Sequence, residues 1–119
     1  MKLHRPSEIE ASRDRSPIFV GDVDRQPMVT DANPGLLRAN VVTFNNGARN
    51  KLHHHGADQL LVVTAGEGIV ATENERLEVR TGDVIHIPAG QRHWHGARPG
   101  QTFSHISILT PGEMVIDET

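Results

Sequence analysis

A chain of 119 residues with no cysteine and a net charge of −3 has room for one core and one domain. Disulfide scaffolds, thiolate zinc sites, Fe–S clusters and thiol nucleophiles are excluded, and the composition suits a reducing compartment such as the cytoplasm. Scattered charges of both signs offer no basic face to nucleic acid, and no stretch nears the ~18–20 apolar residues of a membrane helix.

Residues 1–17 are polar, contain Pro6 and Pro17, and lack the apolar run of a secretory leader; they read as an N-terminal arm with irregular structure. From residue 18 to 119 the chain reads as one barrel domain. Strand-length apolar runs recur at short intervals: Ile18–Val20 before Gly21-Asp22, then Leu36–Phe44 between Asn33-Pro34-Gly35 and Asn45-Asn46-Gly47. Gln59–Thr64 and Gly68–Thr72 flank Ala65-Gly66-Glu67. Leu77–Val79 stops at Thr81-Gly82-Asp83, and Val84–Ile87 at Pro88-Ala89-Gly90. Arg92–His95 and Phe103–Leu109 complete the series. Gly or Pro interrupts nearly every window that could hold a helix, so the fold is expected to be an all-β antiparallel sandwich or barrel.

Histidine supplies the chemistry. Six of the eight histidines (His53, His54, His55, His86, His93 and His95) crowd the middle of the chain, while aromatic residues are scarce. Side chains alternate faces along a strand, so His53 and His55 point one way and His54 the other. Gln59 follows a Gly56-Ala57-Asp58 turn that can fold it back toward the same point. His93 opens a later strand, and His95 shares its face. Three neutral imidazoles and an amide oxygen suit Mn, Fe(II), Ni or Zn, with positions left open for water or substrate. An imidazole must be neutral to ligate, so metal affinity is expected to fall below pH ~6.5.

The pattern Gly47, five residues, His53-x-His55, three residues, Gln59, six residues, Gly66 resembles the first motif of the cupin family. Gly82, five residues, Pro88-x-Gly90, two residues, His93 resembles the second. The resemblance implies a cupin double-stranded β-helix (a jelly-roll barrel) with His53, His55, Gln59 and His93 as metal ligands. Two positions depart from the motifs: Gln59 replaces the usual acidic ligand, and Ala97 stands where an Asn often closes the second motif. The stretch His93-Trp94-His95-Gly96-Ala97, with Ser104-His105-Ile106, is similar to small bacterial cupins related to carboxymuconolactone decarboxylase-associated proteins. That group includes manganese-dependent hydroxynitrile lyases with three His and one Gln as ligands. It implies manganese as the metal, a small-molecule substrate, and His95 and His105 as catalytic residues in the cavity. Leu109 and Asn40 differ from the residues of those lyases, whereas Val42 matches.

Other readings stay open at this level. His105 alternates with Phe103, Ser107 and Leu109, which suits a structural hydrogen-bonding role as well as a catalytic one. His95 could be a general base or an orienter of the ligand rings. His86, between Ile85 and Ile87, reads as a further cavity histidine without an assigned role. His54 and His4 read as solvent-facing, Asp58 as a turn residue, and Trp94 as packing on the opposite face. A metal-dependent dioxygenase and a non-catalytic small-molecule sensor are the alternatives to a lyase. Sheet edges and a lendable arm lead to the expectation of a homodimer.

Overall fold

The structure, a computed structural model, describes residues 1–118. In chain order the strands are β1 (Ser12–Asp14), β2 (Phe19–Val20), β3 (Val23–Val29), β4 (Arg38–Phe44), β5 (Arg49–Asn50), β6 (His53–His55) and β7 (Gln59–Ala65). They continue with β8 (Glu67–Ala71), β9 (Arg76–Arg80), β10 (Val84–Ile87), β11 (Trp94–Ala97), β12 (Phe103–Leu109) and β13 (Met114–Ile116). The only helical element among the described residues is one 3-10 turn at Pro6–Glu8, so no helix is long and apolar enough to cross a membrane.

Two antiparallel sheets face each other in a jelly roll. One runs β1-β3-β4-β12-β7-β10, the other β2-β5-β11-β8-β9, and a small ladder pairs β13 with β6. Alternation sets the layers: in β12 Phe103, His105 and Ser107 are buried between partly exposed neighbours. All three phenylalanines of the chain meet inside. Phe44 and Phe103 stack with centroids 6.0 Å apart, and Phe19 meets Phe44 edge-on at 6.3 Å. Val23, Leu61 and Val63 complete this core, each no more than 2% exposed.

Three features of the chain run against the sequence expectation. The arm is not irregular throughout, because Ser12–Asp14 pairs with Val23–Arg25 of the same chain as the outermost strand of a sheet. The amide of Gln26 holds the preceding turn by donating to the carbonyls of Pro6 at 2.6 Å and Ile9 at 2.9 Å. Strand β3 went unread because Pro27 and alternating charges break its apolar pattern. Pro27 lies beyond the register that β1 covers, next to an irregularity before Val29, so its missing N–H interrupts no ladder on that side. Strand β13 has a different importance: it pairs Ile116, Val115 and Met114 with His53, His54 and His55.

Gly68 in β8 lies under the ring of Phe103, where an added Cβ would fall 2.5 Å from two ring atoms. The ring is fully buried and has little space to retreat. Gly68→Ala is therefore expected to destabilise the protein by about 1–3 kcal/mol. Denaturant unfolding measures this, and an unchanged midpoint would contradict the packing described.

Candidate metal centre

Strand β6 turns His53 and His55 to the interior and His54 outward. The outward ring is not free in solvent, as its Nδ1 lies 2.8 Å from the Asp117 carboxylate. His53 is tied to His93 by reciprocal backbone hydrogen bonds, each N–H donating to the other's carbonyl at 2.9 Å. This bridge brings the two rings to a centroid distance of 4.3 Å across forty residues of chain. The ligand nitrogens of His53, His55 and His93 all lie within 4.8 Å of one another. At metal–nitrogen distances of ~2.0–2.1 Å, small ring rotations would let one ion serve all three.

Hydrogen bonds determine which nitrogen is presented. The Nδ1 of His53 lies 2.7 Å from the carbonyl oxygen of Lys51, and the Nδ1 of His93 lies 2.8 Å from that of Gln91. A carbonyl only accepts, so each Nδ1 carries the proton and each Nε2 keeps a lone pair. Gln59 begins β7, and its amide nitrogen donates to Ser107 Oγ at 2.9 Å, which turns Oε1 toward His93. Gln59 Oε1 then stands 3.2 Å from His93 Nε2, acceptor against acceptor. Such a pair repels unless a cation lies between. His55 adds a second indication: its Nε2 is buried without a hydrogen-bond partner. The four residues expected from the sequence thus converge, and their donors fit a divalent cation.

A second pair of imidazoles lies alongside. His95 and His105 are 3% and 0% exposed, with His105 Nε2 2.9 Å from His95 Nδ1. Asn50 orders them: its Oδ1 accepts from the His95 backbone N–H at 2.8 Å, and its amide nitrogen approaches His95 Nε2 at 3.1 Å. The amide can only donate, so His95 keeps its proton on Nδ1 and passes it toward His105 Nε2. His105 in turn carries its proton on Nδ1, a buried atom with no partner among the described residues. Both rings touch Phe44, with centroids 5.7 Å and 5.6 Å away.

These rings and three of the ligands (His53, His55 and Gln59) border a cavity of about 270 Å³, which also reaches Arg25, Asn40, Val42 and Leu109. Two residues that border the cavity, Asn50 and Arg25, had no signal in the sequence. Asn50 sits on a two-residue strand and meets a ring 45 positions away; Arg25 lies on the unread strand β3. His86 lies outside the cavity, contrary to expectation, because Ile85 and Ile87 occupy the inner face of β10. Its side chain is mostly exposed, with Nε2 3.1 Å from Asp58, and Asp58 also accepts the Ala89 N–H. Trp94 is partly buried on the other side of β11, with the Arg49 guanidinium 5.8 Å from its ring.

Burial lowers the pKa of all five interior histidines: His53 to about 3, His55 to about 4, His105 to about 3, and His93 and His95 in the same direction. Neighbouring rings reinforce the shift for His53, His55 and His95 by mutual repulsion of their charged forms. In the unfolded chain these groups titrate near ~6.5, so below that pH the unfolded state binds more protons. Their neutral burial is fully tolerated above pH ~6.5 and becomes increasingly costly as pH falls toward the folded values. The thermal midpoint of metal-free protein is therefore expected to drop between about pH 7 and about pH 5, before most carboxylates titrate. Folded protein is expected to retain a bound metal to about pH 5 rather than release it near ~6.5. Calorimetry and metal analysis across this range check both; a flat midpoint or full release at about pH 6 would contradict the burial argument.

The comparisons with known proteins agree with this geometry. The family model described as "Cupin domain" matches residues 40–109. The (R)-mandelonitrile lyase of Granulicella tundricola is 34% identical over 109 residues, covering 91% of this chain and 83% of that protein. A cupin-like protein from Thermotoga maritima superposes with a TM-score of 0.83 at 34% identity, covering 94% of this chain and 90% of the other. The polyketide cyclase RemF from Streptomyces resistomycificus shares the fold at TM-score 0.88 and 17% identity, covering 100% and 87% of the two chains. With its two motifs, its jelly roll and its three-histidine centre, the chain belongs to the cupin family.

Proposed function

We propose that this cupin is a manganese-dependent lyase acting on a small organic molecule, with cleavage of α-hydroxynitriles, or the reverse addition of cyanide to an aldehyde, as its measurable activity. The observation that carries this reading is the buried, hydrogen-bonded pair His95–His105, which borders the cavity but stands outside the ligand set. Two imidazoles held apart from the metal ligands are the groups that a proton-transfer reaction needs. The relative named (R)-mandelonitrile lyase supports the choice of reaction.

A divalent cation held by His53, His55, Gln59 and His93 would supply Lewis acidity toward a substrate oxygen. The residues of the chain do the rest. In the cleavage direction the substrate hydroxyl loses its proton, the bond to the nitrile carbon breaks with its electron pair leaving on cyanide, and cyanide takes up a proton. His95 Nε2, kept unprotonated by the Asn50 amide, can receive the hydroxyl proton once the substrate hydroxyl takes the place of that amide. Its Nδ1 proton can then pass to His105 Nε2, 2.9 Å away. Burial disfavours imidazolium on both rings, so the proton is returned to cyanide rather than stored. Apolar walls from Ile18, Phe19, Val42 and Leu109 limit water in the cavity.

Mandelonitrile cleavage by manganese-loaded protein, compared with a metal-free control, tests the reading; equal rates would sink it. His105→Ala is expected to retain its metal while turnover falls by about 100-fold. Gln59→Glu should also lower activity, since a carboxylate cancels part of the positive charge at the centre.

We further propose a cytoplasmic homodimer. Outside the barrel, Val62 and Val84 sit opposite each other in one row, with Ile106 next to Val62, and extend an apolar outer surface. Light scattering at micromolar concentration is expected to give twice the chain mass, and a monomer throughout would refute the assembly.

A further inference from the structure

One charged side chain borders the cavity among the described residues, and it is basic. Ile18, Phe19, Val42 and Leu109 are apolar, Asn40 and Asn50 neutral, the histidines neutral by burial; neither Asp nor Glu contributes to the wall. Arg25 is the exception. The ligand set adds no negative charge either, since Gln59 stands where a carboxylate would serve as well.

Arg25 is aimed rather than loose. Its Nε donates to Asn40 Oδ1 at 2.9 Å, and one terminal nitrogen donates to Asp14 Oδ2 at 3.1 Å. Asp14 borders the adjoining cleft, not the cavity, and also accepts from the backbone N–H of Ser16 at 2.9 Å. The remaining terminal N–H groups of Arg25 have no hydrogen-bond partner among the described residues, which leaves the end of the guanidinium fork available for a bidentate acceptor. Across the inner face of the sheet, Arg25 on β3 reaches Asn40 on β4. Asn40 stands opposite Ser107 on β12, and Ser107 receives the amide of Gln59 on β7. A polar row thus leads from the guanidinium at one side of the cavity to a metal ligand at the other. The cavity of about 270 Å³ has room for a compact molecule between the two ends.

We propose that Arg25 is the specificity-determining residue of the cavity and that it selects small carboxylate-bearing substrates, with the carboxylate at the guanidinium and the reacting oxygen at the His–Gln centre. This inference rests on the reading of the cavity as the substrate site of a lyase, and it gives that lyase an anionic substrate for which mandelonitrile is a poor substitute. Asn40 holds the guanidinium in place, which accounts for a polar residue on this part of the wall.

The test uses an isosteric pair, 4-formylbenzoate and 4-formylbenzamide, which share the aldehyde and differ in charge. Calorimetric binding to the manganese-loaded full chain is expected to favour the carboxylate at least about tenfold, ~1.4 kcal/mol. Arg25→Gln should reduce this preference to within about twofold, with metal content and melting temperature retained, and Arg25→Lys should keep part of it. Asp14→Asn, which leaves Arg25 in place but removes its neutralising partner, should widen the preference. A preference missing from wild type, or one that survives Arg25→Gln, overturns the proposal. If Arg25→Gln does not fold, Asp14→Asn decides: a wider preference supports the assignment and an unchanged one refutes it. Cyanide addition to benzaldehyde, run in parallel, reports on the lyase reading alone, because benzaldehyde has no group for Arg25. Loss of that reaction with the binding preference intact would remove the lyase and leave the carboxylate site.

Discussion

Two backbone carbonyls, those of Lys51 and Gln91, hold the Nδ1 protons of His53 and His93 and so turn both Nε2 lone pairs to the same point. The interior of this barrel depends on that arrangement. Five imidazoles share the interior with aromatic, aliphatic and amide side chains and one guanidinium, and each would repel its neighbours if protonated. Neutral rings can be buried, but every N–H still needs an acceptor. The carbonyls satisfy two of them, and His95 hands its own to His105. The result is a layer of bases with lone pairs directed inward and no negative group to neutralise a cation. A centre built this way would leave a bound ion its full charge.

The same layer explains how the core divides. Phe44 packs against Phe103, His95 and His105, and Phe103 also meets His105 edge-on, so these two rings join the apolar half of the barrel to the polar half. Gly68 allows Phe103 to sit low enough for that stack. Packing in the apolar half therefore bears on the position of the proton-carrying pair, with no bond between Gly68 and either histidine.

Alternation along β6 and β12 was readable from the sequence because a strand has a period of two, and it correctly separated His53 and His55 from His54 and put His105 inside. Spacing between glycines, prolines and histidines carried the fold and named the residues that gather at the centre. Strand β3 was missed where Pro27 and three charged or amide side chains hid a ladder whose partners are distant. Asn50 and Arg25 were missed for a different reason: both act by reaching across strands, and a cross-strand neighbour leaves no local periodicity. His86 misled because alternation tells which residues share a face but not which face is inside. Here the bulkier aliphatic pair Ile85 and Ile87 took the interior.

The centre is held unevenly. His53 and His93 are locked to each other by two backbone hydrogen bonds, whereas the backbone of His55 is held by a single bond from the Gly90 N–H at 2.8 Å and by the short ladder to Met114–Ile116. Three-residue ladders open far more readily than the long central strands of a sheet, on free energies well below that of global unfolding. Opening here would loosen the His55 imidazole while His53 and His93 stay bonded to each other. The centre therefore has a more firmly and a less firmly held side, and an ion bound there would be released more readily through the second. Part of the restraint on that side comes from β13, which lies some sixty residues along the chain from His55.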